Sequence, residues 1–332
     1  MNTDNHPTVI AYRQQPGHQQ AKTAVSRAWI HELVLKAGAD DVGIVELDRP
    51  ELADQRQAVL AAYPAAKTYI SYLCRMNTPQ LRSVDRSLAD HEFIEVDHEL
   101  NEIGRKVVRT LREHGISSIL PAANFPQDMS KWGNRAFVIS HKPVAAAAGL
   151  GRIGHHRLLI HPKYGSHLCL GTLVIDQPLE SYDQPIPFNP CLNCNLCVGV
   201  CPTGAIGKDG SFDRMTCFIH AYRDRLGGFL RWVDALVESN SMNEYRLRRT
   251  DAETMAVWQG LSYGGGYRCG YCMSVCPAGL DLIGPFLDDR ALYIREVVSP
   301  LQQKEEDVYV MEKDKGEGSL SRRLPKKIRK LF

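Results

Sequence analysis

Apolar positions along the chain recur with two periods, and the change from one to the other marks the elements. In SRAWIHELVLKAGADDVGIVEL (26–47) the apolar residues first follow helical spacing, stop at Gly38, and resume as a short run from Val42 to Val45. The pattern predicts helix, turn and strand. TYISYLC (68–74) predicts a second strand. From about His91 to His114, Phe93, Ile94, Leu100, Ile103, Val107, Val108 and Leu111 mark one face of a long amphipathic helix ending at Gly115. ISSIL (116–120), closed by Pro121, and the stretches 136–140, 157–160 and 168–175 read as further strands, separated by the helical PVAAAAG and the turn HPKYGS. Residues 1–24, polar and without lasting periodicity, read as a loosely ordered arm. Mixed helices and strands over 25–180 describe one layered unit built from both element types. The proline-rich DQPLESYDQPIPFNP (176–190) reads as a linker. A cysteine-rich unit follows over 181–290, with an insertion at 218–268 that contains the helix-like FLRWVDALVESNSM, and 291–332 forms an extension with a basic tail.

Composition narrows the possibilities without choosing among them. Apolar residues at 44%, charged residues at 23% and a formal net charge of +2 are those of an ordinary globular protein. They predict neither wholesale attraction to nucleic acid nor an acidic coat. There is no run of about eighteen apolar residues, and the first twenty residues lack a basic region followed by an apolar core, so the expectation is a cytoplasmic protein without a membrane role. The basic tail (Arg322, Arg323, Lys326, Lys327, Arg329, Lys330) reads as solvated, with contact to RNA as a less favoured alternative.

Eight of the ten cysteines carry the chemistry. C-L-N-C-N-L-C-V-G-V-C-P (191–202) fits the C-x2-C-x2-C-x3-C-P run that binds [4Fe-4S] clusters, and C-G-Y-C-M-S-V-C-P (269–277) repeats its second half. Three cysteines on a tight loop reach three irons of one cubane, while the fourth, set off by three residues and a proline, serves the other cluster. The spacing assigns one cluster to Cys191, Cys194, Cys197 and Cys276, and a second to Cys201, Cys269, Cys272 and one more. Cys217 is the best candidate for that place, because Cys74 and Cys169 lie in apolar strand patterns where cysteine acts as a small hydrophobe. Zinc is the alternative for C-x2-C pairs, but two linked quartets with Cys-Pro endings exceed what zinc modules need. A pair of clusters moves single electrons between a surface donor and another centre.

G-L-G-R-I-G (149–154) matches the dinucleotide fingerprint G-x-G-x-x-G, yet an alanine-rich helical stretch precedes it and HPKYG soon follows, where a strand and a helix are required. A glycine turn that admits a large ligand close to the backbone is the better reading. His155 and His156 follow it; a surface pair is their ordinary reading, with a role at a cofactor as the alternative. Asp97-His98 reads as a solvated helix face, and Trp132 and Tyr164 as packing residues.

The order GADDVGIVEL, YPAAKTYISYL, a long helix with Asp97-His98, AGLGRIGHHRLLIHPKYGSHLCLGTLVIDQPL and then the cysteine module resembles the epoxyqueuosine reductases and, more distantly, the reductive dehalogenases. The resemblance covers about residues 26–285. It implies an α+β fold, with a nitroreductase-like α/β/α domain that binds cobalamin followed by a ferredoxin-like domain whose two [4Fe-4S] clusters deliver electrons to cobalt. By position it implies that Gly149, Gly151, Gly154, Gly165 and Ser166 line the cobalamin pocket, with His155 beside them. The family's Asp-Ser/Thr-x-Pro-Val segment, which supplies the proposed proton donor, is here S-H-K-P-V (140–144). Ser140 stands where the acid is expected, which leaves Asp128 and His141 as candidate catalytic groups. The helical repeat domain found C-terminally in many such reductases has no counterpart in this sequence. The expected partners are a low-potential electron donor of ferredoxin or flavodoxin type and a small-molecule or modified-nucleoside substrate, with tRNA less favoured. The competing function is a ferredoxin-type electron-transfer protein without cobalamin.

Overall fold

The computed structural model describes residues 3–14, 25–131, 137–311 and 321–328. Its centre is a four-stranded antiparallel sheet built from β1 (Asp41–Glu46), β2 (Thr68–Arg75), β3 (Ser118–Ile119) and β6 (Leu168–Ile175), in the order β1-β2-β6-β3. Between β3 and β6 in sequence, β4 (Arg152–Ile153) and β5 (Leu159–Ile160) form a separate hairpin. Strand β2 lies between β1 and β6, with Ile70 opposite Ile44 on one side and Leu173 on the other. It is buried over seven of its eight residues. Its side chains alternate between the two faces of the sheet. Ile70, Tyr72 and Cys74 face one apolar cluster with helix residues such as Ile30, Leu100 and Val107. Tyr69 faces a second with Val59 and Val144, and Leu73 a third with Ala145 and Leu150. Helices therefore cover both faces, and the protein is a mixed α/β structure.

The helices, in chain order, are α1 (Pro7–Gln14), α2 (Arg27–Ala37), α3 (Ala53–Ala62), α4 (Thr78–Arg82), α5 (Arg86–Glu113) and α6 (His141–Ala147). Beyond the sheet come α7 (Leu196–Val200), α8 (Arg214–Ala221), α9 (Gly227–Val237), α10 (Met242–Arg248), α11 (Asp251–Tyr263) and α12 (Tyr271–Ser274), with several short turns after them. Helix α5 begins earlier than its apolar pattern, because the Asp85 carboxylate caps it by accepting from the Ser87 N–H. Its C-terminal half buries Leu100, Ile103, Val107 and Leu111 against the sheet. Its N-terminal half buries Arg86 and Asp90 against the segment that carries the cysteines and Glu92 against the Asn77 N–H. Arg86 donates from Nε to the Arg268 carbonyl at 3.1 Å and from Nη2 to the Cys269 carbonyl at 2.6 Å. One helix thus serves the sheet core at one end and clamps the cysteine loop at the other.

Four expectations change. The described part of the arm is helical at Pro7–Gln14, though no residue there is buried. The strand expected at 136–140 does not form over its described residues: Ile139 enters the core, and the Ser140 N–H donates to Gln55 Oε1 rather than to a neighbouring strand. The strand at 157–160 shrinks to Leu159–Ile160 because Arg157 takes a positive φ in the turn before it. The tail is not simply solvated: Lys326 is buried, donating from Nζ to the Leu301 carbonyl at 2.7 Å, with Glu306 Oε1 at 3.5 Å. It follows the hairpin of β7 (Asp307–Met311) and β8 (Ser321–Pro325). Arg329, Lys330 and Trp132 lie outside the described residues. Among the described residues no helix is long and apolar enough to cross a membrane.

Candidate redox site

Short α7 and α12 each follow a left-handed residue, Asn195 and Gly270, that turns the cysteine loops inward. Cys191, Cys194, Cys197 and Cys276 come to line one enclosed cavity. Burial, with Cys276 and Cys194 close by, pushes the Cys197 thiol up to about 12. Cys276 rises to about 11 by burial, partly opposed by its hydrogen bond with Ser166. The remaining four gather separately. Cys217 is pushed up to about 12 by burial and by neighbouring Cys201. Cys272 is pushed well above its ordinary value by burial, with Cys217, Cys269 and Cys201 around it. Cys217, at the first turns of α8, reaches this group because Asp213 caps that helix against the loop carrying Cys201.

Burial favours the protonated thiol at Cys194, Cys197, Cys217, Cys269, Cys272 and Cys276, and a bound metal centre would drive those protons off. Among the described residues no three His, Cys, Asp or Glu side chains converge closely enough for a single ion. Two groups of four thiols, carried on the C-x2-C-x2-C-x3-C-P spacing, fit cubane clusters. Cys74 and Cys169 are strand partners inside the sheet, as their apolar setting implied.

A second cavity, of about 300 Å³ and open to solvent, lies between the sheet and the second cysteine group. Its walls are apolar, from Phe93, Leu168 and Met273 among others, and its polar lining includes Asp97, Ser140, His141, Lys142, Ser166 and Arg268. Asp97 corrects its reading as a solvated face. Its carboxylate accepts from Asn124 Nδ2 at 3.0 Å, with Arg268 Nη2 at 3.9 Å, and burial outweighs both to raise its pKa. Its neighbour His98 stays exposed. His141 accepts at Nδ1 from Thr172 Oγ1 at 2.9 Å and donates from Nε2 to the Ala122 carbonyl at 3.2 Å, while burial lowers its pKa to about 4. Both ring nitrogens are therefore engaged. Burial also lowers the Lys142 pKa, opposed by the nearby Cys217 and Cys272. Arg268 packs between the rings of Phe93 and Tyr222, at 4.5 and 4.3 Å, and its Nε and Nη2 find no hydrogen-bond acceptor.

The other candidates lie elsewhere. Asp128 is exposed, caps Ser130, pairs with Lys131, and is thereby held below the ordinary carboxylate range, away from the cavity. The glycines face the chain itself. A Cβ on Gly149 would meet the Gln184 carbonyl oxygen at 2.5 Å, one on Gly151 that of Ile160 at 2.3 Å, and one on Gly165 that of Ala278 at 2.0 Å. Their lack of side chains closes the β4–β5 hairpin and the 161–165 turn onto the cysteine segment. Gly154 stands against Ile160 and the His156 ring. His155 donates from Nε2 to the Gly207 carbonyl at 2.8 Å, and it lines the first cysteine cavity together with His156; His155 is half-buried and His156 buried. Tyr164 stacks on His161 at 4.7 Å, the packing role expected of it. The cavity's position, its apolar walls and the buried Arg268 guanidinium suit a bound organic group.

No family model matches the chain. It is 40% identical over 95 residues to the epoxyqueuosine reductase of Vibrio cholerae, a match covering 27% of this chain and 25% of that protein. To the Bacillus anthracis epoxyqueuosine reductase it is 28% identical over 166 residues, covering 49% of this chain and 36% of the relative. The matches thus span about a quarter to a third of the relatives' length. Among solved structures, an epoxyqueuosine reductase with a modified tRNA stem loop aligns with a TM-score of 0.43 at 18% identity, covering 61% of this chain and 59% of that one. A B12-dependent reductive dehalogenase aligns with a TM-score of 0.49 at 17% identity, covering 74% and 38%. Over the matched segments the chain is similar to curated epoxyqueuosine reductases, the family that its cysteine and glycine motifs resemble.

Proposed function

We propose that the protein is a cobalamin-dependent reductase that takes single electrons through two [4Fe-4S] clusters and removes a group from a small-molecule or modified-nucleoside substrate. In this reading residues 25–180 form a nitroreductase-like cofactor domain and 181–290 a ferredoxin-like domain. The observation that carries it is the open cavity beside the second cysteine group, with a buried carboxyl in its wall. Cys191, Cys194, Cys197 and Cys276 would hold the cluster nearer the donor, and Cys201, Cys217, Cys269 and Cys272 the one nearer the cavity. Cobalamin, when bound, supplies a cobalt centre that low-potential electrons turn into a nucleophile.

The residues of this chain supply the rest. Asp97, whose pKa burial raises, is placed to give a proton to a leaving group or product. It thereby replaces the aspartate absent at Ser140. Phe93, Leu168 and Met273 exclude water, and Lys142 and Arg268 offer positive charge to an anionic part of the substrate or cofactor. A ferredoxin- or flavodoxin-type donor, and tRNA as carrier of a modified nucleoside, belong to this reading.

One observation favours the competing function, electron transfer without cobalamin. Gly149, Gly151 and Gly165 are closed off by backbone, so they offer no wall to a corrin. Titrating cobalamin into the anaerobically reconstituted protein separates the two. A shift of the corrin absorption bands that saturates near one equivalent is the expected result; unchanged bands at stoichiometric protein would leave the electron-transfer function standing.

A further inference from the structure

His156 has no part in the scheme so far, and its setting is unusual. The residue is 4% exposed. Its Nδ1 accepts the Leu158 backbone N–H at 3.1 Å, which places the ring proton on Nε2. That Nε2 is buried with no hydrogen-bond partner. A buried N–H left without an acceptor is costly to a fold. The ring lines the cavity bounded by Cys191, Cys194, Cys197 and Cys276. Gly154 makes room for it: an added Cβ would stand 3.1 Å from His156 Cε1 and 2.4 Å from Ile160 Cδ1. His155, on the same cavity, is already bonded to the Gly207 carbonyl.

We propose that His156 donates its Nε2–H to a sulfur of the cluster carried by Cys191, Cys194, Cys197 and Cys276, and raises the reduction potential of that cluster alone. The inference rests on reading those cysteines as [4Fe-4S] ligands. The reduced cluster carries one more negative charge than the oxidised one, so a fixed donor stabilises it more, and hydrogen bonds to the sulfurs are among the main determinants of potential. His156 is a positioning residue here. It neither ligates iron nor touches substrate, and it would set the downhill step between the two clusters.

The test is an EPR-monitored redox titration of the full chain with both clusters loaded, comparing wild type, His156→Phe and His156→Gln. In His156→Phe one of the two midpoints is expected to fall by about a tenfold change in its reduction equilibrium, ~59 mV for a one-electron couple, while the other stays. His156→Gln, which keeps an N–H donor, is expected to recover most of the loss. Unmoved midpoints in His156→Phe with full iron and sulfide content overturn the proposal and leave the cluster reading intact. Failure of wild type to assemble either cluster overturns both. Should His156→Phe not hold its clusters, pulsed EPR on reduced, 15N-histidine-labelled wild type and His156→Gln decides: a weak nitrogen coupling lost in the variant supports the proposal, and its absence from wild type overturns it.

Discussion

The two cysteine groups have nearly the same local spacing and very different surroundings. The first lies in a small enclosed cavity behind the glycine-closed hairpin, with His155 and His156 in its wall and Cys191 and Cys194 only partly covered. The second is wrapped by α8, the start of α5 and the segment carrying Arg268, and it has Lys142 and the open cavity beside it. Spacing therefore decides which thiols can share a cluster, and the surroundings decide what each cluster can do. A group beside an open cavity suits delivery of electrons into that cavity.

The comparison breaks most sharply at the ligands. Cys269→Ser is expected to remove the second cluster and leave the first, lowering bound iron from about eight to about four per chain, whereas Cys194→Ser should do the reverse. Iron and sulfide analysis with EPR checks both, and equal loss of all iron in each variant would show the groups to be one unit. A smaller but still large effect is expected at Asp90, which is fully buried, accepts two hydrogen bonds from Arg225 Nη2 at 2.6 and 2.8 Å, and accepts a third from the Gly266 N–H. Asp90→Ala leaves Arg225 and Arg268 without their shared carboxylate and should cost about 3–5 kcal/mol in denaturant unfolding. Cys269 should become more exposed to thiol reagents in the apo protein, while Cys194 is unchanged.

Acid sharpens the contrast further. Burial lowers His141 and His167 to about 4 and His220 to about 3, so in each case the unfolded chain binds a proton more readily than the folded one. Their contribution is fully present above about pH 6.5 and is lost as pH falls from there toward 4, at about 1–3 kcal/mol for each group. Thermal unfolding between pH 7.5 and 4.5 should show that loss, and His220→Phe, beside the second group, should flatten part of it. The smallest effect is expected at Lys142. Lys142→Met removes a cation near Cys217 and Cys272 and should lower the second midpoint by less than ~59 mV without moving the first. A shift of the first midpoint would contradict the geometry.

Much of this was legible in the chain. The apolar stripe of α5 and the strand patterns of β2 and β6 predict the sheet and its main helix because burial there follows the backbone's own period. Cys217 could be chosen because Cys74 and Cys169 sit where a strand needs apolar side chains. What failed was polar. Asp97 lies on the outward side of the α5 pattern, yet Arg268 and Tyr222 from the insertion cover it and make it a buried acid. Ser140 stands where the resembled family has an acid, and nothing near it in sequence says where a proton would come from. His156 looked like half of a surface pair until the cysteine loop closed over it.

The sequence by itself determined the main helix, the long central strands and the spacing of eight candidate ligand thiols, because periodicity and ligand spacing are local properties of a chain. Only the tertiary structure decided which charges are buried and what they face. Asp90 meets Arg225 across 135 positions, and the Arg86 guanidinium reaches the Cys269 carbonyl across 183. Such partners come together only when the cysteine segment packs on the start of α5. The chemistry proposed for Asp97 and His156 depends on that packing, since a carboxyl or an imidazole acquires an unusual proton affinity or an unmet hydrogen bond only after water has been removed from it.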